Sequence, residues 1–312
     1  MCSSVLVLSL LCVAPLLAQN AGETPAARLR ALVERAPRLA LTGTPLPVQP
    51  PQAGWGLGMV SWVAAGRDGV IYLLQRGDKA DPVIALDRRG RVLRSWGKGL
   101  YVMPHSIRID PRGNVWTTDA ASSKVLEFTP QGKNLTEIDV GGQPAECRNN
   151  FCGTTDVAFA PNGHIFISDG YANARVLEYT ADGKKVREWG APGTGPGQFH
   201  LPHSIQIDRK GIVYVADREN ARIERFNLAG HYLGEWTNLG KPFSLTLRSG
   251  FLYVAAQPPD APNLAPGWLV KLDPQTGKNL GYVESTGNHG LEATETGDLL
   301  IGPGPGHPLW FH

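Results

Sequence analysis

HSIRIDPRGNVWTT at residues 105–118 and HSIQIDRKGIVYVA at residues 203–216 are one pattern written twice: an alternating run, a turn glycine, and a second alternating run. Four more stretches stack on them: SWVAAGRDGVIYLL from 61, TDVAFAPNGHIFIS from 155, FSLTLRSGFLYVAA from 243 and HGLEATETGDLLIG from 289. Their turn glycines are Gly69, Gly113, Gly163, Gly211, Gly250 and Gly297, spaced 39 to 50 residues apart. Each unit continues into a third strand such as ARIERFNLAG (221–230), and units 1 to 5 into a fourth such as KKVREWG (184–190). Four strands repeated at this period mark a propeller blade, so six units predict an all-β, six-bladed β-propeller over residues 55–312. The sixth unit has too few residues left for four strands, and a strand from near residues 38–50 is expected to complete it and close the ring. A right-handed β-helix is the alternative, but its repeats are usually shorter.

Composition agrees and narrows the function. The 312 residues include 37 glycines and 25 prolines, suited to a turn-rich fold. A hydrophobic content of 42% excludes disorder, and glycine does not recur every third residue as in collagen. A formal net charge of +2, without a run of Lys or Arg, argues against a nucleic-acid partner.

Residues 1–18 carry the apolar run VLVLSLLCVAPLLA (5–18) and are expected to be a signal peptide, placing the protein outside the cell or in a periplasm. The run is short for a membrane span, so no membrane contact is expected after its removal. Met1–Ser4 lacks the usual positive charge, and a buried or interfacial segment is the alternative. Residues 19–54 are expected to hold a helix over 24–36 and a Pro-rich linker. Thr24 is its N-cap, Pro25 its first residue, and Leu29, Leu32 and Val33 form one apolar face. The mature chain keeps Cys147 and Cys152 in CRNNFC, a local disulfide in an oxidising compartment or else two buried thiols.

His105, His203 and His289 share one column of the stacked repeats; the other members are Ser61, Thr155 and Phe243. The first strand of each blade lines the central channel, so histidines in blades two, four and six should converge on the axis. Three neutral imidazoles with an open fourth position suit Zn²⁺. For one histidine alone, packing at a blade entrance would be the preferred reading. At the ends of second strands stand Arg76 and Arg218, able to pair with a substrate carboxylate. Arg218 has a second reading, a surface pair with Asp217 or Glu219. Tyr171 lies in DGYANAR, one residue longer than DRENAR, and the extra residue is expected to push the phenol toward the channel.

RGD (76–78), PHSIRID (104–110), TDVAFAP (155–161), SDGYANAR (168–175), PGQFHLPHS (196–204) and ADRENARI (216–223) resemble the peptidyl-α-hydroxyglycine α-amidating lyase family, an NHL-type propeller, over about residues 55–300. The resemblance implies zinc on His105, His203 and His289, a catalytic Tyr171, and active-site arginines at Arg76 and Arg218. It also implies a structural calcium with backbone carbonyls at Val63 and Ile107. The family's Met-Pro-His-Asp reads Gly287-Asn288-His289-Gly290 here, so the calcium carboxylate is missing, and Glu292 is the nearby substitute. Cys152 has a family counterpart, while Ala172, Tyr214 and Arg225 replace partner cysteines, leaving Cys147 as its partner. The implied reaction is zinc-dependent cleavage of an α-hydroxyglycine to an amide and glyoxylate, by a monomer acting on a peptide or small-molecule substrate. The rivals are a non-enzymatic NHL-type propeller that binds a protein, peptide or glycan, and a lactonase-like propeller, whose calcium needs acidic and amide side chains.

Overall fold

The computed structural model describes residues 24–142 and 151–312. The segment expected to be a signal peptide and Cys147 lie outside the described residues. Repeats 1 to 5 each form a four-stranded antiparallel sheet in sequential order, repeat 6 forms three strands of another, and the six sheets stand around a channel. The inner strands are Val60–Ala65, Pro104–Ile109, Asp156–Phe159, Pro202–Ile207, Lys241–Arg248 and Gly290–Ala293. The ring closes as the strand count requires. Gly43–Pro45 pairs with Leu309–Phe311 and supplies the fourth strand of blade 6, with Gly43 opposite Phe311. The two ends of the propeller are thereby joined, and the edge of the last sheet is covered.

Apolar side chains alternate along the strands, so each sheet presents one face to each neighbouring blade. Tyr72, Leu74 and Val83 of blade 1 pack on Ile107, Val115, Leu126 and Phe128 of blade 2, and similar clusters fill the other blade interfaces. At the periphery, three outer-strand tryptophans lie against a glycine in the turn between the third and fourth strands of the next blade. Trp96 covers Gly132, Trp189 covers Gly230 and Trp236 covers Gly277. A Cβ on Gly132 would meet the Trp96 ring at 2.8 Å, and its φ of +87° is left-handed, so both constraints select glycine.

The helix spans Pro25–Val33, capped by the Thr24 hydroxyl, which accepts from Ala27 N. Only Leu29 and Val33 dock, onto blades 4 and 5 beside Leu239, Leu252 and Trp268. Leu32 is 38% exposed, contrary to the expected three-residue face. Positions four apart line one helix stripe, and Leu32 falls to its side. No helix among the described residues is long and apolar enough to cross a membrane.

Candidate metal centre

The histidine column works because the inner strands are irregular at that point. Ladder register slips between Val60 and Trp62, Pro104 and Ile107, Pro202 and Ser204, and Pro242 and Ser244. The residues skipped include Ser61, His105, His203 and Phe243, while Thr155 and His289 stand one residue ahead of their strands. A bulge re-aims the residue it carries, and here it releases the column from the in-and-out alternation of the strand.

His105, His203 and His289 are buried, with ring centroids 4.9, 4.9 and 5.0 Å apart. One ligand atom from each lies within 4.8 Å of the others. Each imidazole is anchored by the next blade. Nδ1 of His105 bonds Thr155 O at 2.6 Å, that of His203 bonds Phe243 O at 2.6 Å, and that of His289 bonds Ser61 O at 2.7 Å. A carbonyl only accepts, which assigns the proton to Nδ1 and leaves the Nε2 lone pair as the ligand in all three. The non-histidine members of the column are thus the acceptors that orient the histidines. Burial holds the His105 and His203 imidazoles well below their ordinary pKa, helped by neighbouring histidines and by Arg76 or Arg218. Burial together with Arg76 lowers His289 to about 3. Neutral rings are the form that binds metal, so the donor set fits a Zn²⁺-like ion.

Tyr171 reaches this centre from blade 3. Gly170 lies against the inner strand of blade 4, where a Cβ would sit 2.2 Å from Pro202 O, so the loop can press close enough to deliver the phenol. The hydroxyl is 2.8 Å from His105 Nε2 and 3.2 Å from His203 Nε2. Burial raises the phenol's pKa, and Arg218 and Arg76 pull it down without overcoming that effect.

Arg218 pairs with Glu219, one of its two expected neighbours, but in the interior and not on the surface. Its Nε donates to Glu219 at 2.9 Å, yet the side chain is buried, lies over the Phe243 ring at 4.8 Å and pulls the Tyr171 phenol toward its ionised form. Arg76 donates from Nε to Pro104 O at 2.8 Å, while its Nη2 is buried without a hydrogen-bond partner. Phe151 covers the pair, its ring centroid 4.8 Å from that of Tyr171 and 5.8 Å from the Arg76 guanidinium carbon.

Sequence reasoning missed the floor of the centre. Trp62 is buried, with its ring centroid 5.7, 6.2 and 5.7 Å from those of His105, His203 and His289. The Arg108 guanidinium lies 4.9 Å from the Trp62 ring centroid. These residues do not fit the calcium implied for the carbonyls of Val63 and Ile107. Gly290 stands where the carboxylate would be, and a Cβ there would be 2.6 Å from Trp62 Cα. The nearby substitute, Glu292, pairs with Arg108 at 3.6 Å and Arg248 at 3.1 Å. Restoring the acid as Gly290→Asp is therefore expected to displace Trp62 and destabilise the protein by about 1–3 kcal/mol, measured by urea unfolding.

Fold and site together define a six-bladed propeller with metal-binding geometry on its axis. A family model described as a 6-bladed β-propeller matches residues 149–241. The chain is 31% identical over 236 residues to a probable peptidyl-α-hydroxyglycine α-amidating lyase of Caenorhabditis elegans, covering 70% of this chain and 66% of that one. It is 30% identical over 270 residues to the peptidyl-glycine α-amidating monooxygenase of Mus musculus, covering 80% of this chain but 28% of that protein. The peptidyl-α-hydroxyglycine α-amidating lyase 1 of Drosophila melanogaster is 36% identical over 157 residues, 46% of this chain and 29% of that one. The chain belongs to the peptidyl-α-hydroxyglycine α-amidating lyase family. Among solved structures, a putative gluconolactonase superposes with a TM-score of 0.64 at 14% identity, covering 89% of this chain and 93% of that one, a likeness of fold alone.

Proposed function

We propose that the protein is a zinc-dependent lyase that splits the N–C bond of a C-terminal α-hydroxyglycine, giving an amide and glyoxylate. The observation that carries this reading is the Tyr171 hydroxyl, held against His105 and His203 and flanked by two guanidiniums. A carbinolamide collapses when its hydroxyl loses a proton, the carbon–oxygen bond becomes a carbonyl, and the nitrogen leaves with a proton. His105, His203 and His289 would hold zinc through Nε2, and the bound ion supplies a Lewis acid that acidifies the substrate hydroxyl. Tyr171 would take that proton once ionised, a step that Arg218, Arg76 and the charge of a bound ion favour against burial, and would return it to the departing nitrogen. Arg218 stabilises the phenolate, and the unpartnered Nη2 of Arg76 offers a donor to the substrate carboxylate. The carbonyl anchors of the histidines support this enzymatic reading over passive ligand binding, because they fix one tautomer for coordination.

We further propose that the protein is an exported monomer in which Cys147 and Cys152 form a disulfide. Its substrate is a peptide or small carbinolamide. The deciding experiment measures bound metal and glyoxylate release from α-hydroxyhippurate by the purified chain; protein that binds no zinc or releases no glyoxylate would refute the assignment. Phe151, 37% exposed, walls the entrance beside Tyr171 and Arg76. Phe151→Ala is expected to raise KM by about 2- to 10-fold, the worth of one aromatic contact, with kcat little changed in the same assay.

A further inference from the structure

Arg108 is a buried arginine, and its contacts reach every blade of the ring. Nε and Nη2 meet Asp156 of blade 3 at 3.0 and 2.7 Å. Nη2 also donates to Ser204 Oγ of blade 4 at 3.3 Å and to Leu245 O of blade 5 at 2.9 Å. Nη1 donates to Leu291 O of blade 6 at 3.3 Å and faces Glu292 at 3.6 Å. Trp62 of blade 1 lies on the guanidinium face, and Arg108 itself belongs to blade 2. On the side away from the histidines, Arg108 and Glu292 line a cavity of about 610 Å³ at the other mouth of the channel.

The ligands around this guanidinium are carboxylate, carbonyl and hydroxyl oxygens, the kind a hard divalent cation takes. Asp156 is fully engaged: besides Arg108, it accepts from Ser204 Oγ at 2.7 Å, Val157 N at 2.9 Å and Ile205 N at 3.2 Å. We propose that the Arg108 guanidinium is the propeller's built-in axial cation, tying the six blades together and supporting Trp62 under the histidine centre without calcium. Arginine suits the role because it stays charged when buried and spreads its donors in a plane, whereas an ion would have to be acquired. Arg108 is on this view a positioning residue. It reaches the histidines only through Trp62, and the proposal stands or falls independently of the lyase reading.

The test compares melting of the zinc-loaded full chain in calcium-free buffer and in 1 mM CaCl₂, for the parent, Arg108→Lys and Arg108→Ala. The parent is expected to melt within about 1 °C in the two buffers. Arg108→Ala is expected to melt about 10 °C lower, because buried Asp156 loses its countercharge and Glu292 keeps only Arg248, and to regain part of that loss with calcium. Arg108→Lys should fall between, keeping the charge but losing the fork. A merely structural arginine would give no calcium rescue. If Arg108→Ala does not fold, calorimetric titration of the parent with CaCl₂ decides: no uptake supports the proposal and stoichiometric uptake overturns it. Parent protein that gains several degrees from calcium, or Arg108→Ala that melts with the parent, also overturns it.

Discussion

His203→Ala is expected to retain the propeller and lose about 10³-fold or more in kcat/KM for glyoxylate release, together with stoichiometric zinc. Two imidazoles cannot replace three in a tetrahedral site with one open position. The fold should survive because the blades are held by their own clusters and the ring by the Gly43–Pro45 closure, neither of which includes His203. Far-ultraviolet circular dichroism checks that assumption, zinc analysis checks the cause, and added zinc should not restore activity. Chelated parent protein should show the same loss but recover when zinc is returned. Full activity in metal-free parent, or in His203→Ala, would rule out zinc-dependent chemistry at this centre.

The three histidines could be found from sequence because side chains carried the signal. The strands that hold them differ in detail, but the turn glycines fix the register of the repeat, and in that register the histidines share one column. What the column could not disclose is the function of its other members. Ser61, Thr155 and Phe243 share no side-chain group among all three, and each contributes its main-chain oxygen. A carbonyl leaves no compositional trace.

Arg108 was hidden for a related reason. Its equivalents in the other repeats are Ala64, Ala158, Gln206, Thr246 and Glu292, which together suggest a variable channel wall. Its main partner, Asp156, belongs to a different column, level with Gly290 and Trp62. The pairing depends on the curvature of the ring, which brings blades 2 and 3 side by side at the axis, and periodicity in one dimension does not contain that curvature. The strand shortage of blade 6 was legible because it needed only a count. The place of the closing strand followed from topology, and Gly43–Pro45 lies within the predicted stretch. Arg218 marks an intermediate case: its charge could be read, but a side chain that pairs with Glu219 and still faces the phenol can be resolved only in space.

Tyr171→Phe separates metal binding from proton transfer and is expected to lower kcat by about 10²- to 10⁴-fold, the usual contribution of a positioned acid–base group. The substitution removes one oxygen and leaves the ring that packs against Phe151 and His105. Zinc should remain at one equivalent, because the Nε2 donors are oriented by Thr155, Phe243 and Ser61 rather than by the phenol. KM should change little, since Arg76, with its own anchor on Pro104 O, remains to hold the carboxylate. The pH profile supplies an independent readout. Burial outweighs Arg218 and Arg76 and holds the phenol above its ordinary pKa, so the phenolate forms only as pH rises and parent activity should climb with pH along an acid limb. The residual activity of Tyr171→Phe should lack that acid limb. A Phe variant as active as the parent, with the same acid limb, would remove Tyr171 from the reaction and assign the proton to another group.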